Sequence, residues 1–245
     1  MKMLRYLYRY QRWRERQQEA ELELISIHIP KTAGTSFRNT LKSVYGNEAV
    51  VRLDIELEKP EVRVNEQPYD QRQLPPWTRV AHGHFAYPLL QKHFDLPQRD
   101  IPLITWLRDP VERVISNYYY LSKRLAEELD EPSKGLNILL KMERQLMEYA
   151  RDPLSCNRMS RFLQGVPLEQ FQFVGIQDHY SEDLKHLSKI LDWPAYDEFV
   201  HNRTGKSYDE VTDQQREEIR ALNEEDVRLY ERALELREKR IAKYD

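Results

Sequence analysis

The sequence predicts an α/β fold, a parallel sheet with helices on both faces and a P-loop-like strand–loop–helix at its centre. Three observations predict it. Short apolar segments alternate with longer helical patterns, and neither internal repeats nor a long Gly/Ser linker interrupts them. The stretch ISIHIPKTAGTSF, from Ile25 to Phe37, turns an apolar strand abruptly into a lysine, a glycine and three hydroxyls. Finally, 245 residues with 40% hydrophobic content can bury one sizeable core. The chain divides into an N-terminal segment, residues 1–23, and one domain over residues 24–245 that ends in a helical extension.

The opening segment is rich in Arg and Tyr, and it sets Leu4, Leu7, Tyr8 and Trp13 along one side of a helix. A helix packed on the domain or on a partner subunit, as in a homo-oligomer, fits this pattern better than a membrane-surface anchor. Strands are expected at Leu24–Ile29, Val50–Leu53, Arg79–His82, Leu103–Leu107 and Phe173–Ile176, each short, apolar and partly β-branched or aromatic. Helices are expected at Thr35–Tyr45, Val111–Leu129, Leu136–Ala150, Asn157–Leu163 and Ser181–Leu191. Between Asp54 and Pro76, charge and prolines mix, and the segment reads as an irregular excursion. In the tail, Thr212 with Gln215 forms a capping-box pattern, and Asn223 before Glu224, Glu225 and Asp226 reads as a second cap.

Composition narrows the function. The formal net charge of -3 carries no nucleic-acid signature, so any anionic ligand has to be held by a local pocket. A single cysteine, Cys156, excludes an internal disulfide framework and a Cys-rich zinc site, and makes the cytoplasm the default setting. No apolar run approaches the ~18 residues of a membrane span, and the opening lacks the apolar core of a secretory signal. Peripheral membrane association stays open.

The chemistry concentrates in three places. A strand turning through Pro30, Lys31, Thr32, Ala33 and Gly34 into a helix at Thr35 and Ser36 points backbone N–H groups at whatever lies over the turn. Gly34 permits close approach, the hydroxyls add donors, and Lys31 adds a compact positive charge, which together suit a phosphate. A well-capped strand–helix junction would look the same. The order is wrong for a Walker loop, because Lys31 precedes Gly34. The second place is LRDPVERVISNYYYL, where Arg108 ends a strand, Pro110 opens a helix and Ser116 follows two turns on. A guanidinium and a hydroxyl there suit a second phosphate, while an ion pair for Arg108 and a helix contact for Ser116 are the plain alternatives. Asp109 reads as structural. The third is VAHGHF, where His82 and His84 lie one residue apart at a strand end and can project to the same side, with Gly83 letting a ligand approach. With no obvious third ligand, zinc is weak there.

In combination, PKTAGTSF followed some seventy residues later by LRDPVERVISNYYY resembles the two nucleotide-binding elements of sulfotransferases that use 3′-phosphoadenosine 5′-phosphosulfate (PAPS). The pattern is most similar to the carbohydrate sulfotransferases related to the heparan sulfate 2-O- and 6-O-transferring enzymes and their soluble bacterial relatives. That resemblance implies the sulfotransferase fold, no metal, and a 5′-phosphosulfate held by Lys31, Thr32, Ala33, Gly34, Thr35 and Ser36. It implies that Arg108 and Ser116 bind the 3′-phosphate. His84 matches the family's catalytic base and His82 its neighbour, orienting the base or the acceptor, while Lys31 serves turnover as well as binding. Asn157 and Arg161, one helical turn apart in SCNRMSRFLQG, match residues placed at the nucleotide or the site mouth. Arg203 and Thr204, in HNRTGK, match a basic loop near the 3′-phosphate. The implied acceptor is a saccharide hydroxyl, although no strip of Lys and Arg for a glycosaminoglycan is plain in the sequence. A kinase or NTPase of related architecture, or a non-catalytic nucleotide-binding scaffold, remain the competing readings.

Overall fold

The computed structural model describes residues 20–58, 61–129, 145–199 and 210–244. In chain order the regular elements are β1 (Leu24–Ile27), α1 (Gly34–Tyr45), β2 (Val50–Ile55), β3 (Val62–Val64), β4 (Gln67–Pro68), β5 (Val80–His84), α2 (Tyr87–His93), β6 (Leu103–Leu107), α3 (Pro110–Leu129), α4 (Leu146–Ala150), α5 (Arg158–Phe162), β7 (Phe173–Ile176), α6 (Tyr180–Ile190), α7 (Asp213–Leu222) and α8 (Glu224–Tyr244). The expected helix over residues 1–23 lies almost wholly outside the described residues, and so does most of the one expected at Leu136–Ala150. Among the described residues no helix is long and apolar enough to cross a membrane.

Seven strands form one sheet in the order β4-β3-β2-β5-β1-β6-β7. The five central and right-hand strands run parallel, which requires helical crossovers and burial on both faces. Accordingly β1, β6 and β7 are buried at every position. Helix α1 packs on one face through Phe37, Thr40 and Leu41, three and four residues apart, and α3 buries Val111, Val114 and Ile115 in the same way.

The stretch after Asp54 is more ordered than its composition suggests. β3 and β4 form an antiparallel hairpin against β2, and its two turn residues, Asn65 and Glu66, both have positive φ (48° and 70°). That geometry matches the twist of paired strands, and Asn tolerates it because its short side chain can bond locally. At the opposite edge, β7 is closed by side chains. Asp183 of α6 accepts the Ile176 N–H (2.7 Å), and Arg240 of α8 donates to the Val174 carbonyl (2.7 Å).

The tail begins as its capping-box pattern predicts: Gln215 N–H donates to Thr212 Oγ1 (3.2 Å), and Thr212 N–H donates to Gln215 Oε1 (3.0 Å). The second cap differs from expectation. Asn223 turns back, donating to the Ile219 carbonyl (2.8 Å), while its Oδ1 accepts the Asn157 N–H (2.9 Å). The N–H groups of Glu225 and Asp226 that open α8 are accepted instead by Asn157 Oδ1 (3.1 and 3.3 Å). Asp226 reciprocates by accepting the Met159 and Ser160 N–H groups at the start of α5 (3.0 and 2.7 Å). Each helix thus caps the other.

Candidate active site

The strand ends of the parallel sheet open onto a cleft of about 1390 Å³ that contains the first two motif regions and His84. After β1, the loop passes through two non-glycine residues in the left-handed region, Lys31 (φ 74°) and Ala33 (φ 70°). Such conformations cost energy and are sustained where surrounding structure fixes them, here in part by the Thr32 N–H, which donates to the Ile29 carbonyl (3.3 Å). Thr32, between them, is buried, and its hydroxyl donates to the Ile29 carbonyl (2.8 Å). Its side chain therefore fastens the loop from behind and does not reach the cleft, a departure from the ligand-binding role expected of it. Ala33, Gly34, Thr35 and Ser36 do line the cleft, at the helix start where N–H groups lack intrahelical partners.

Gly34 is constrained by His28, which belongs to none of the three motif regions. A Cβ there would lie 1.8 Å from Nε2 of His28, whose ring is seated on the glycine. His28 also stacks on His82 (centroids 5.3 Å apart) and tilts against His84 (4.5 Å), so three imidazoles form one cluster. Its signal was present in SIHIPK, but nothing local distinguishes a cleft histidine from a strand residue. Among the described residues, no group of three or more His, Cys, Asp or Glu is placed to hold a metal ion.

Lys31 and Arg108 meet at the loop. Arg108 donates to the Lys31 carbonyl (3.4 Å), and its buried Nε has no hydrogen-bond partner among the described residues. The Lys31 ammonium lies 4.1 Å above the centre of the Tyr120 ring. Burial, and then the nearby Arg108, hold the Lys31 pKa below its ordinary value. An anion beside the two cations would favour the charged form of Lys31 and offset this lowering. Ser116, one turn before Tyr120 on α3, lines the same cleft. Asp109 instead accepts the Glu112 N–H (3.0 Å) at the start of α3, a structural role.

The two histidines of VAHGHF divide their work. His82 is 2% exposed, and its Nδ1 lies 2.9 Å from Ser26 Oγ. Burial, reinforced by His84 and Arg38, lowers its pKa to about 3. His84, with 31% of its side chain exposed, faces the cleft. Its Nδ1 lies 2.7 Å from Asp54 Oδ1, and Asp54 Oδ2 lies 2.8 Å from Arg52 Nε. Burial pushes the Asp54 carboxyl up, but the hydrogen bond and charge of His84, with Arg52, outweigh it and hold the pKa below the ordinary carboxylate value. The side chain in contact with His84 Nδ1 is thus Asp54, which lies outside every motif of the sequence, whereas His82 contacts Ser26. Gly83 lines the cleft and has a further reason to be glycine: a Cβ there would lie 1.9 Å from the Leu53 carbonyl oxygen of the neighbouring strand.

His82 makes a pH prediction. The unfolded chain binds a proton near the ordinary 6.5, whereas the folded chain resists until about 3. Stability therefore falls as pH drops through this window, by on the order of 2 kcal/mol from His82 alone between about pH 7 and pH 5. His28, whose pKa burial also lowers, acts in the same direction. Urea denaturation at both pH values should show the loss, and His82→Asn should flatten it. An unchanged midpoint in the parent protein would contradict the buried, neutral state.

The remaining expected residues are dispersed. Asn157 is committed to the α8 cap, and Arg161 pairs with Glu58 and donates to the Leu154 carbonyl (3.4 Å), so neither lines the cleft. Arg158 does line it, with a buried Nε that has no partner among the described residues. Arg203 and Thr204 lie outside the described residues. No basic strip is visible in the sequence, yet the fold gathers Arg38 and Lys42 of α1 with Arg52 of β2 along the cleft wall that holds His84.

A cleft at the carboxyl ends of parallel strands, lined by the Lys31 and Arg108 cations and by the start of α1, is chemically suited to an anionic ligand. The chain belongs to the sulfotransferase family, whose sequence model matches residues 18–232. Curated relatives include heparan sulfate 2-O-sulfotransferase 1 of Cricetulus griseus, Mus musculus and Homo sapiens, each 28% identical over 109 residues. The match spans 42% of this chain and 30% of each relative's length. Among solved structures, a sulfotransferase from Alicyclobacillus acidocaldarius aligns with a TM-score of 0.46 at 17% identity, over 85% of this chain and 93% of that one. A mouse sulfotransferase complexed with PAP aligns with a TM-score of 0.40 at 13% identity, over 84% of this chain and 65% of that one.

Proposed function

We propose that the chain transfers a sulfonate group from PAPS to a hydroxyl of a saccharide, with His84 as general base. The observation that carries this reading is one cleft shared by Lys31 and Ala33 to Ser36, Arg108 with Ser116, and His84. The donor fits these residues chemically. It carries two separate anionic groups, and the site offers the first N–H groups of α1 and a guanidinium whose buried Nε has no partner among the described residues. Ala33, Gly34, Thr35 and Ser36 would bind the 5′-phosphosulfate, with Thr32 bracing the loop; Arg108 and Ser116 would bind the 3′-phosphate.

His84 takes the acceptor's proton as the oxygen attacks sulfur, a contribution of about 10²–10⁴-fold. Lys31 and the loop N–H groups stabilise the charge that develops on the departing phosphate oxygen. The saccharide acceptor is supported by the heparan sulfate named in the curated relatives, and by Arg38, Lys42 and Arg52, which suit an acidic sugar chain. The single cysteine fits a reducing, cytoplasmic setting.

Calorimetric titration tests the donor. Adenosine 3′,5′-bisphosphate should bind, and Arg108→Ala should weaken it by about tenfold to a hundredfold, the loss of hydrogen bonds from a charged group. Binding of ATP with magnesium in place of the bisphosphate would overturn the reading in favour of phosphoryl transfer.

A further inference from the structure

Both oxygens of Asp54 are engaged, one by His84 Nδ1 (2.7 Å) and the other by Arg52 Nε (2.8 Å). Sheet register fixes the arrangement, because β2 and β5 pair in parallel with Asp54 opposite His84. The His84 N–H of the backbone also points at the same carboxylate oxygen (3.4 Å). From this geometry we infer that Asp54 is a positioning residue for the transfer reaction, holding the proton of neutral His84 on Nδ1 and leaving Nε2 bare toward the cleft. The inference rests on the reading of His84 as general base.

An ionised carboxylate only accepts hydrogen bonds, so the ring nitrogen facing it has to donate. The other nitrogen of a neutral imidazole then carries the lone pair that a base requires. In the reaction, the acceptor's O–H proton passes to Nε2 while its oxygen forms a bond to sulfur. The sulfur–oxygen bond to the donor phosphate breaks, and its electron pair leaves on the phosphate. His84 is then an imidazolium, protonated on both nitrogens, and the adjacent Asp54 stabilises its charge. Loss of the Nε2 proton to water restores the starting tautomer. Arg52, by occupying the second oxygen, makes the carboxylate less basic and keeps the Nδ1 proton on the ring. His28, packed at 4.5 Å, braces the other side of the ring.

The test uses the full chain labelled with ¹⁵N-histidine and needs no acceptor. Long-range ¹H–¹⁵N spectra, with the His84 signals assigned by their loss in His84→Gln, should show Nδ1 protonated and Nε2 bare. Asp54→Asn should shift the tautomer population toward Nε2–H. With PAPS as donor and O-desulfated heparan as acceptor, the same substitution should lower kcat by about 10²-fold or more, with the donor KM changed less than about threefold. Adding it to His84→Gln should cost nothing further, because the two residues act as a unit. Asp54→Glu keeps the charge and should retain the tautomer and part of the rate, which also covers a failure of the asparagine variant to fold. A proton on Nε2 in the parent protein, or unchanged tautomer and kcat in Asp54→Asn, overturns the inference. Absence of transfer by the parent protein would count against the proposed function instead, while the spectra still decide the role of Asp54.

Discussion

His84→Ala should lower kcat for sulfonate transfer by about 10²–10⁴-fold and leave adenosine 3′,5′-bisphosphate binding close to that of the parent protein. The split follows from where the ring sits. Its Nδ1 is held by Asp54 and its face is turned to the cleft, whereas the proposed phosphate contacts come from the α1 loop, Arg108 and Ser116. Because part of the side chain is exposed, truncation leaves room for water and not a sealed cavity, so the fold should survive. Single-turnover transfer of labelled sulfonate measures the first effect, and calorimetry the second. Near-parental turnover would remove His84 from the chemistry.

A change one residue earlier should act on the fold itself. At Gly83 an added Cβ would fall 1.9 Å from the Leu53 carbonyl oxygen and within 2.9 Å of the Leu53 carbonyl carbon and nitrogen. These are backbone atoms of the paired strand, where Leu53 is the direct partner of Gly83, so no side-chain rotation relieves the clash. Gly83→Ala should therefore cost more than about 4 kcal/mol, in the range reserved for broken core structure. Gly46 supplies the control. It has positive φ (95°) but nothing within 4 Å of an added Cβ, so Gly46→Ala should cost about 1–3 kcal/mol of backbone strain alone. Urea denaturation of the two variants separates the mechanisms. If Gly83→Ala were as stable as the parent, the β2–β5 register would be wrong, and with it the contact between Asp54 and His84.

What could be read from the sequence was local in the chain. The strand, loop and helix around Lys31 are consecutive, from Leu24 to Tyr45, and Arg108, Pro110 and Ser116 follow one another on a strand end and the first turns of a helix. The Thr212–Gln215 capping box was legible for the same reason. Asp54 was not, because its importance comes from a sheet pairing thirty residues away, and the charged, proline-containing stretch that follows it disguises the hairpin. Asn157 illustrates the opposite error. Its helical spacing from Arg161 is real in sequence, but a left-handed backbone (φ 48°) places it before the helix, where its side chain serves α8. The resemblance implies a contact at the nucleotide or the site mouth, whereas in the structure the Asn157 side chain caps α8.

The reciprocal caps between α5 and α8 also bind distant parts of the chain into one opening event. Releasing α8 would strip the N–H groups of Met159 and Ser160 of their acceptor, and would leave the fully buried Arg113 of α3 without the Asp226 carboxylate 3.9 Å away. Arg113 stands one turn before Ser116 and donates to the carbonyl of Ser155, which borders the cleft. Amide protons of the final helix and of the cleft wall near Ser116 are therefore expected to exchange with solvent through the same cooperative fluctuation, so that ligand held at that wall slows exchange in a helix it never touches.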